Sequence, residues 1–170
     1  MSDQTVKCWG SSSAHGQGTA DELGDNPGEM GDSLGVIYLG NVGTKVLQLV
    51  GADEGTRFCA LTERTGTKRA RCWGRNNDAG VLALGFGNGN AYGDGATEMQ
   101  STISDIDFGT GLSPIQVELG GGHACALLDD GSTKCWGANT YGTLGIGNEE
   151  DIGDNPGEMG DALPAVNVSF

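Results

Sequence analysis

The chain has 170 residues, of which 32 are glycine, and only 36% are hydrophobic. So much glycine disfavours long helices and favours short strands joined by tight turns. The net charge is -14, from 9 basic and 23 acidic residues, which argues against a general affinity for nucleic acid or anionic lipid. No stretch has the composition of a membrane span, and the first residues lead into a strand rather than a cleavable signal peptide, so membrane insertion is not expected.

A Cys-Trp-Gly tripeptide recurs along the chain at Cys8, Cys72 and Cys135, with spacings of 64 and 63 residues. A second marker, Gly-Asp-Asn-Pro-Gly-Glu-Met, occurs at 24–30 and 153–159, and a degenerate copy at 93–99 keeps the Gly, Asp, Glu and Met. Two markers that each occur three times along the chain, in the same order, indicate internal repeats.

Each full repeat contains four short runs that read as half-buried strands. The first repeat has them near 36–39, 45–50, 57–62 and 69–73, and the second near 105–108, 115–119, 123–128 and 132–136. Four short antiparallel strands per repeat are typical of a propeller blade. The predicted fold is all-β, a partial β-propeller of two four-stranded antiparallel blades with a single strand at either end.

This reading divides the chain, as one array of 1–170, into four segments. They are an isolated last strand with its loop at 1–35, a full blade with a long loop at 36–104, a full blade at 105–138, and a loop with an isolated first strand at 139–170.

The last two runs of each repeat form a hairpin that places two cysteines opposite each other. In the second repeat the turn is Asp129-Asp130-Gly131-Ser132, and Cys125 and Cys135 flank it symmetrically. Directly opposed residues of antiparallel strands are about 4.5 to 5.5 Å apart, which suits a disulfide. The longer first hairpin opposes Cys59 and Cys72 in the same way.

The fifth cysteine, Cys8, has no partner in its own hairpin and is expected to stay free or to bridge to another chain. The spacings fit no zinc motif. Paired cysteines favour an extracellular or organelle-lumen location. Buried, reduced thiols in a cytosolic protein are the alternative.

The motif Cys135-Trp-Gly-Ala-Asn139-Thr-Tyr-Gly-Thr-Leu-Gly-Ile-Gly147, preceded by Gly-Gly-Gly-His123-Ala-Cys-Ala-Leu-Leu-Asp-Asp-Gly, resembles the regulator of chromosome condensation repeat family, in particular its cysteine-bearing subgroup. The resemblance covers nearly the whole chain. It implies a seven-bladed β-propeller, of which this chain holds only a part. A partial array exposes its ends, so the expected partners are other proteins or further blades of a longer chain.

The three tryptophans, Trp9, Trp73 and Trp136, stand at one fixed repeat position beside a cysteine. Large aromatic side chains dominate the burial of apolar surface in cores. We therefore expect all three in the core between blades rather than in a ligand site.

Six of the nine basic residues fall in one window that holds a single acid, Glu63. They are Arg57, Arg64, Lys68, Arg69, Arg71 and Arg75. The window is a candidate surface for docking an acidic neighbour, and a solvated hairpin face is the alternative.

The repeated acidic loops offer carboxylates to a hard cation such as calcium. The candidate ligands are Asp25, Glu29 and Asp32 in one loop and Asp154, Glu158 and Asp161 in the other. In the middle copy Asp94 and Glu98 remain, but Ser101 replaces the third acid. A loop that only connects two strands, with its turn fixed by Pro27 or Pro156, is the alternative.

His15 and His123 belong to no recognisable catalytic arrangement, so an enzyme is not expected. The predicted function is a non-enzymatic protein-protein interaction module, a structural or docking component of a larger assembly. One alternative is a regulator of a small GTPase of the guanine-nucleotide exchange type, which the family resemblance implies. The other is a calcium-binding extracellular repeat protein.

Overall fold

The computed structural model describes residues 5–11, 15–40, 43–52, 55–77 and 79–167. Its strands form two antiparallel sheets. The first sheet contains β1 (Lys45–Gly51), β2 (Arg57–Arg64), β3 (Thr67–Arg75) and the two-residue β4 (Ala91–Tyr92), in that order. The second contains β5 (Pro114–Leu119), β6 (His123–Leu128) and β7 (Thr133–Gly137), also in order. Within these described ranges, helical structure is limited to α1 (Glu98–Ser101) and single 3-10 turns at Thr140–Gly142 and Gly160–Ala162.

The all-β prediction is confirmed, and both hairpins have the register that the cysteines required. Cys59 faces Cys72 across β2 and β3, and Cys125 faces Cys135 across β6 and β7. The β2–β3 turn needs left-handed backbone at Gly66 (φ 81°), and the β6–β7 turn needs it at Gly131 (φ 86°). Glycine adopts this conformation without steric cost, so the turn chemistry fixes the register.

The predicted strands at 36–39 and 105–108 are wrong as strands. Both are extended, but neither joins a sheet, and the fourth strand of the first sheet is β4 from the long loop after β3. The backbone N–H of Ile37 donates to Val6 (2.9 Å), and that of Ile106 donates to Ala70 on β3 (2.8 Å). Each segment therefore makes its backbone hydrogen bond to the repeat before it, while its apolar side chains also pack against the repeat that follows it.

A charge contact explains the position of the second of these segments. Asp105 accepts hydrogen bonds from Arg69 (2.8 Å) and Arg71 (3.0 Å), both on β3. At the end of the chain Val166 repeats the pattern by donating to Thr133 on β7 (2.8 Å), while Val168 of the predicted last strand lies outside the described residues. The segment boundaries given above stay a prediction.

The core consists of two apolar clusters, one on either side of the first sheet. The cluster that includes Trp73, Ala60 and Cys8 lies towards the N-terminal strand. The cluster that includes the Cys59–Cys72 pair and Trp136 lies between the two sheets. Successive strand residues point to opposite faces, so each hairpin directs its tryptophan towards the preceding repeat and its disulfide towards the following one.

None of the helices in the described part of the chain is long and apolar enough to cross a membrane.

Candidate functional site

Two of the three tryptophans are fully buried, and the third is not. Trp73 stacks on Phe58, Trp136 meets Phe108 edge-on, and both have 0% exposure. Trp9 is 61% exposed, so the prediction that it belongs to the core is wrong. Its ring lies beside Gly24, which is also exposed.

The structure contains both predicted disulfides, Cys59–Cys72 and Cys125–Cys135. Cys8 is free and buried, and burial raises the pKa of its thiol. A buried thiol with a raised pKa is a poor nucleophile. An intermolecular bridge at Cys8 would therefore require the N-terminal layer to open.

The acidic loops share one construction, in which the glutamate binds backbone N–H groups of its own loop. Glu29 accepts from Gly24 (2.8 Å) and Asn26 (3.0 Å). The other two loops repeat this pattern, with Glu98 accepting from Gly93 and Gly95, and Glu158 from Gly153 and Asn155. The glutamate thus closes a turn.

This construction explains the two glutamates without a cation, and calcium binding stays a prediction. Hydrogen bonds from Asn26 and Gly24 lower the pKa of Glu29 and occupy its carboxylate. In the last loop burial raises the pKa of Glu158, but hydrogen bonds from Asn155 and Gly153 outweigh it and leave that pKa below its usual value. Within the described ranges no three His, Cys, Asp or Glu side chains lie close enough to hold a metal ion.

The third acid of each predicted calcium set has a different environment. Asp161 accepts from the Thr110 N–H (2.6 Å) and hydroxyl (2.8 Å), which lowers its pKa. Asp32 is exposed. Asp161 therefore ties the last loop to the segment before β5 rather than to its own Glu158.

The basic window separates into structural and exposed members. Arg57 is 6% exposed and donates to the carbonyl of Gly121, in the turn between β5 and β6. Arg71 is bound by Asp105 and donates to Met99 (2.9 Å). These two arginines make structural contacts, and Arg57 is buried, while the docking role of the basic window stays a prediction. Arg64, Arg69 and Arg75 are exposed and Lys68 is half-buried.

The cation before each Cys-Trp has one role that the sequence reading missed. Lys7 donates to Gly31 (2.8 Å), and the buried Lys134 donates to Phe108 (2.8 Å) and Gly160 (3.1 Å). Arg71 holds the equivalent position in the middle repeat. A basic residue directly before every Cys-Trp pair was the sequence signal that could have predicted these hydrogen bonds to loop carbonyls.

Two of the exposed arginines, Arg64 and Arg69, border a cleft of about 210 Å³ beside the β2–β3 turn, which we call the arginine cleft. Its polar lining consists of Arg64, Arg69, Arg71, Asp105, Thr44, Thr62, Thr65 and Thr67. Three guanidinium groups face one carboxylate there. The cleft is therefore positively charged on an otherwise acidic protein, and its arginines and threonine hydroxyls can donate hydrogen bonds to an anionic group.

Neither histidine lines the arginine cleft. His15 is fully buried, its Nε2 lies 2.9 Å from the carbonyl of Asp21, and its Nδ1 accepts from the backbone of Gln17 (3.2 Å). This arrangement fits a neutral ring with Nε2 protonated. His15 thus stabilises the loop after the N-terminal strand.

Comparison with known proteins agrees with this architecture. The profile of the regulator of chromosome condensation (RCC1) repeat matches residues 115–143. The X-linked retinitis pigmentosa GTPase regulator of the dog is 36% identical over 73 residues, which cover 42% of this chain and 7% of the relative. The mouse protein of that name is 33% identical over 92 residues, which cover 50% and 9%.

Among solved structures, human WBSCR16 matches 98% of this chain and 36% of its own length, with a TM-score of 0.57 and 22% identity. The chain thus spans less than a tenth of these sequence relatives and about a third of this structure. The residues that match the RCC1-repeat profile include most of the second sheet, and the likeness of fold extends over nearly the whole chain.

Proposed function

We propose that this chain, an RCC1-repeat protein with the fold of a partial propeller, is a non-enzymatic interaction module that docks an acidic protein segment as part of a larger assembly. Propellers present loops and hairpins on a rigid scaffold, which suits docking. The observation that supports the proposal most is the arginine cleft, a cationic recess on a chain with a net charge of -14.

The cleft fits a carboxylate-bearing segment. Arg69 is 59% exposed along its side chain although it pairs with Asp105, so its guanidinium remains accessible to a second anion. Arg64 is exposed at the end of β2. An incoming carboxylate would receive charge-assisted hydrogen bonds from these two residues and would meet one negative charge, that of Asp105.

The test is fluorescence anisotropy with a labelled peptide rich in Asp and Glu. We expect Arg64→Glu to weaken binding several-fold and added salt to weaken it further, because the attraction is screened. Arg75→Glu is the matched control, since it makes the same change of charge at an exposed position outside the cleft. Equal losses for the two variants would show that the cleft is not the binding site.

A second candidate is regulation of a small GTPase, favoured by the name of the two relatives. The test is the release of a fluorescent GDP analogue from small GTPases in the presence of this chain. Accelerated release would support an exchange activity, and release at the intrinsic rate would remove this candidate without affecting the docking proposal.

A further inference from the structure

The repeats contact one another through a recurring pair of loops. The acidic loops are 24–30, 93–99 and 153–159, and the glycine loops are 16–18, 83–85 and 145–147. The first and third residues of every glycine loop have positive φ: Gly16 and Gly18 (68° and 71°), Ala83 and Gly85 (56° and 76°), Gly145 and Gly147 (67° and 84°). Shared backbone geometry makes the three glycine loops equivalent.

Two such junctions lie inside the chain. Gly18 donates its N–H to the carbonyl of Gly93 (2.9 Å), and Gly85 donates to Gly153 (3.1 Å). In each case a glycine loop binds the first residue of the acidic loop that belongs to the following repeat. The contact is close, because a Cβ added to Gly80, just before the second glycine loop, would lie 2.3 Å from the backbone of Gly153.

The second junction also fixes a tryptophan. Trp136 donates its Nε1–H to the carbonyl of Val81 (2.9 Å), two residues before the positive-φ residue Ala83. The matching acceptor for Trp73 would be residue 14, which lies outside the described residues. At the third glycine loop the equivalent carbonyl belongs to Thr143.

The two halves of a third junction remain exposed at opposite ends of the described array. At the N-terminal end Gly24 is exposed, whereas its counterparts Gly93 and Gly153 are buried. Trp9 at the same end is 61% exposed, whereas Trp73 and Trp136 are fully buried. At the C-terminal end Thr143, Gly145 and Gly147 are exposed, whereas Val81 is buried and Ala83 and Gly85 are half-buried. The Gly147 N–H has no hydrogen-bond partner in the described part of the chain.

We propose that the N-terminal edge of one copy of this chain docks on the C-terminal edge of a second copy and forms this third junction. Gly147 of one copy donates to the carbonyl of Gly24 of the other, and Trp9 donates its Nε1–H to the carbonyl of Thr143. The contact continues the internal junctions, and the chain supplies both complementary halves. It does not involve the arginine cleft.

This interface has two physical consequences. Its two surfaces differ, so association is head-to-tail and continues until a ring closes or a filament grows. Every copy carries a net charge of -14, so the copies repel one another at low ionic strength. Salt screens that repulsion, and we expect association to strengthen as salt is added, opposite to the salt effect expected at the arginine cleft.

The test combines sedimentation velocity with the indole N–H signals in a two-dimensional ¹⁵N–¹H NMR spectrum of the 170-residue chain. Its three tryptophans give three signals, and Trp9→Phe identifies one of them. We expect the Trp9 signal to move as protein concentration rises while the other two stay in place. Trp9→Phe, which lacks the indole donor, should shift the association to at least several-fold higher concentration.

Leu47→Ser is the matched control, because it removes a 46% exposed apolar side chain from β1 rather than from either edge. A head-to-tail contact also predicts capping. The Trp9→Ser variant has an intact C-terminal edge and a defective N-terminal edge. In excess, it should bind the N-terminal edges of wild-type copies and block further wild-type copies from binding there, which reduces the mean particle size.

Three results would each overturn the proposal: a monomer at every concentration and salt level, association that survives Trp9→Phe unchanged, or a Trp9 signal that does not move while particles form. Arg64→Glu should leave self-association intact. Failure of this proposal is therefore distinguishable from failure of docking at the arginine cleft.

Discussion

Two loops of this protein have the same nine residues, Gly-Asp-Asn-Pro-Gly-Glu-Met-Gly-Asp, at 24–32 and 153–161. Their internal hydrogen bonds are the same length. Glu29 and Glu158 each accept from a glycine N–H at 2.8 Å and from an asparagine N–H at 3.0 Å. Their burial differs, because Gly153 is buried against the glycine loop of the preceding repeat and Gly24 is exposed.

The difference separates what nine residues determine from what their neighbours determine. The hydrogen bonds of the turn are local, and identical sequences reproduce them. The burial of Met30 and Met159, 43% exposed and half-buried respectively, depends on the adjacent repeat. Repeat arrays owe much of their stability to such interfaces between neighbours. Matched substitutions in the loop at 153–161, which the preceding repeat covers, and in the uncovered loop at 24–32 can therefore measure how much the interface contributes to stability.

The largest contrast is expected between Trp136→Ala and Trp9→Ala. Trp136 is fully buried and hydrogen-bonded to Val81, so its loss should lower the free energy of unfolding by about 3–5 kcal/mol. Trp9 is mostly exposed and should lose less than about 1 kcal/mol. Urea unfolding at low protein concentration measures both. Similar losses would mean that the N-terminal edge is covered within the monomer.

Local signals predicted the hairpins, and they did so for a physical reason. A turn cluster such as Asp129–Ser132 sets the register of the two strands around it, and the register then places Cys125 opposite Cys135. The longer β2–β3 hairpin places Cys59 opposite Cys72 in the same way. Spacing along the chain is sufficient here because every partner lies within about a dozen residues.

The predictions that failed depended on distant neighbours. The alternating segment at 105–108 does not show which strand it will contact, and its hydrogen bond to Ala70 and its salt bridges to Arg69 and Arg71 are visible only in the folded chain. Trp9 shares its motif with Trp73, yet its burial depends on a repeat that the described residues do not contain. A carboxylate in a glycine-rich loop suits either calcium or a backbone N–H, and only the folded turn shows that Glu29 binds the latter.

A smaller contrast is expected between Glu158→Gln and Glu29→Gln. Each change weakens the acceptor for two backbone N–H groups, but only the covered loop also supports the junction with Gly85. We expect Glu158→Gln to cost about 1 kcal/mol at pH 7 and Glu29→Gln to lower the melting temperature less. Thermal unfolding of both variants at one pH provides the measurement.

The pH dependence of this pair follows from the lowered pKa values of Glu29 and Glu158. A carboxyl group whose pKa is lower in the folded state contributes stability above its unfolded pKa and loses it as the pH falls through the folded pKa. The penalty of each glutamine variant should therefore shrink in acid. A penalty that is constant down to pH 2 would assign the effect to packing rather than to the charged acceptor.

The smallest contrast concerns the aspartates beside these glutamates, and its sign is opposite. Burial and the charge of Glu158 raise the pKa of Asp154, so its ionised form is disfavoured in the folded state. A group with a raised folded pKa contributes stability below its unfolded pKa and loses it as the pH rises through the folded pKa. Asp154→Asn avoids that loss, because asparagine stays neutral and can donate to Glu158.

We therefore expect Asp154→Asn to raise the melting temperature at pH 7, by the equivalent of less than about 1 kcal/mol because the site is largely solvated. The gain should vanish in acid, where the wild-type carboxyl is protonated. Asp25→Asn is the matched control, since Asp25 is exposed in the uncovered copy of the same loop. If both variants stabilise equally, the effect comes from the overall charge of -14 rather than from the covered loop, and the contrast between the two copies does not extend to this position.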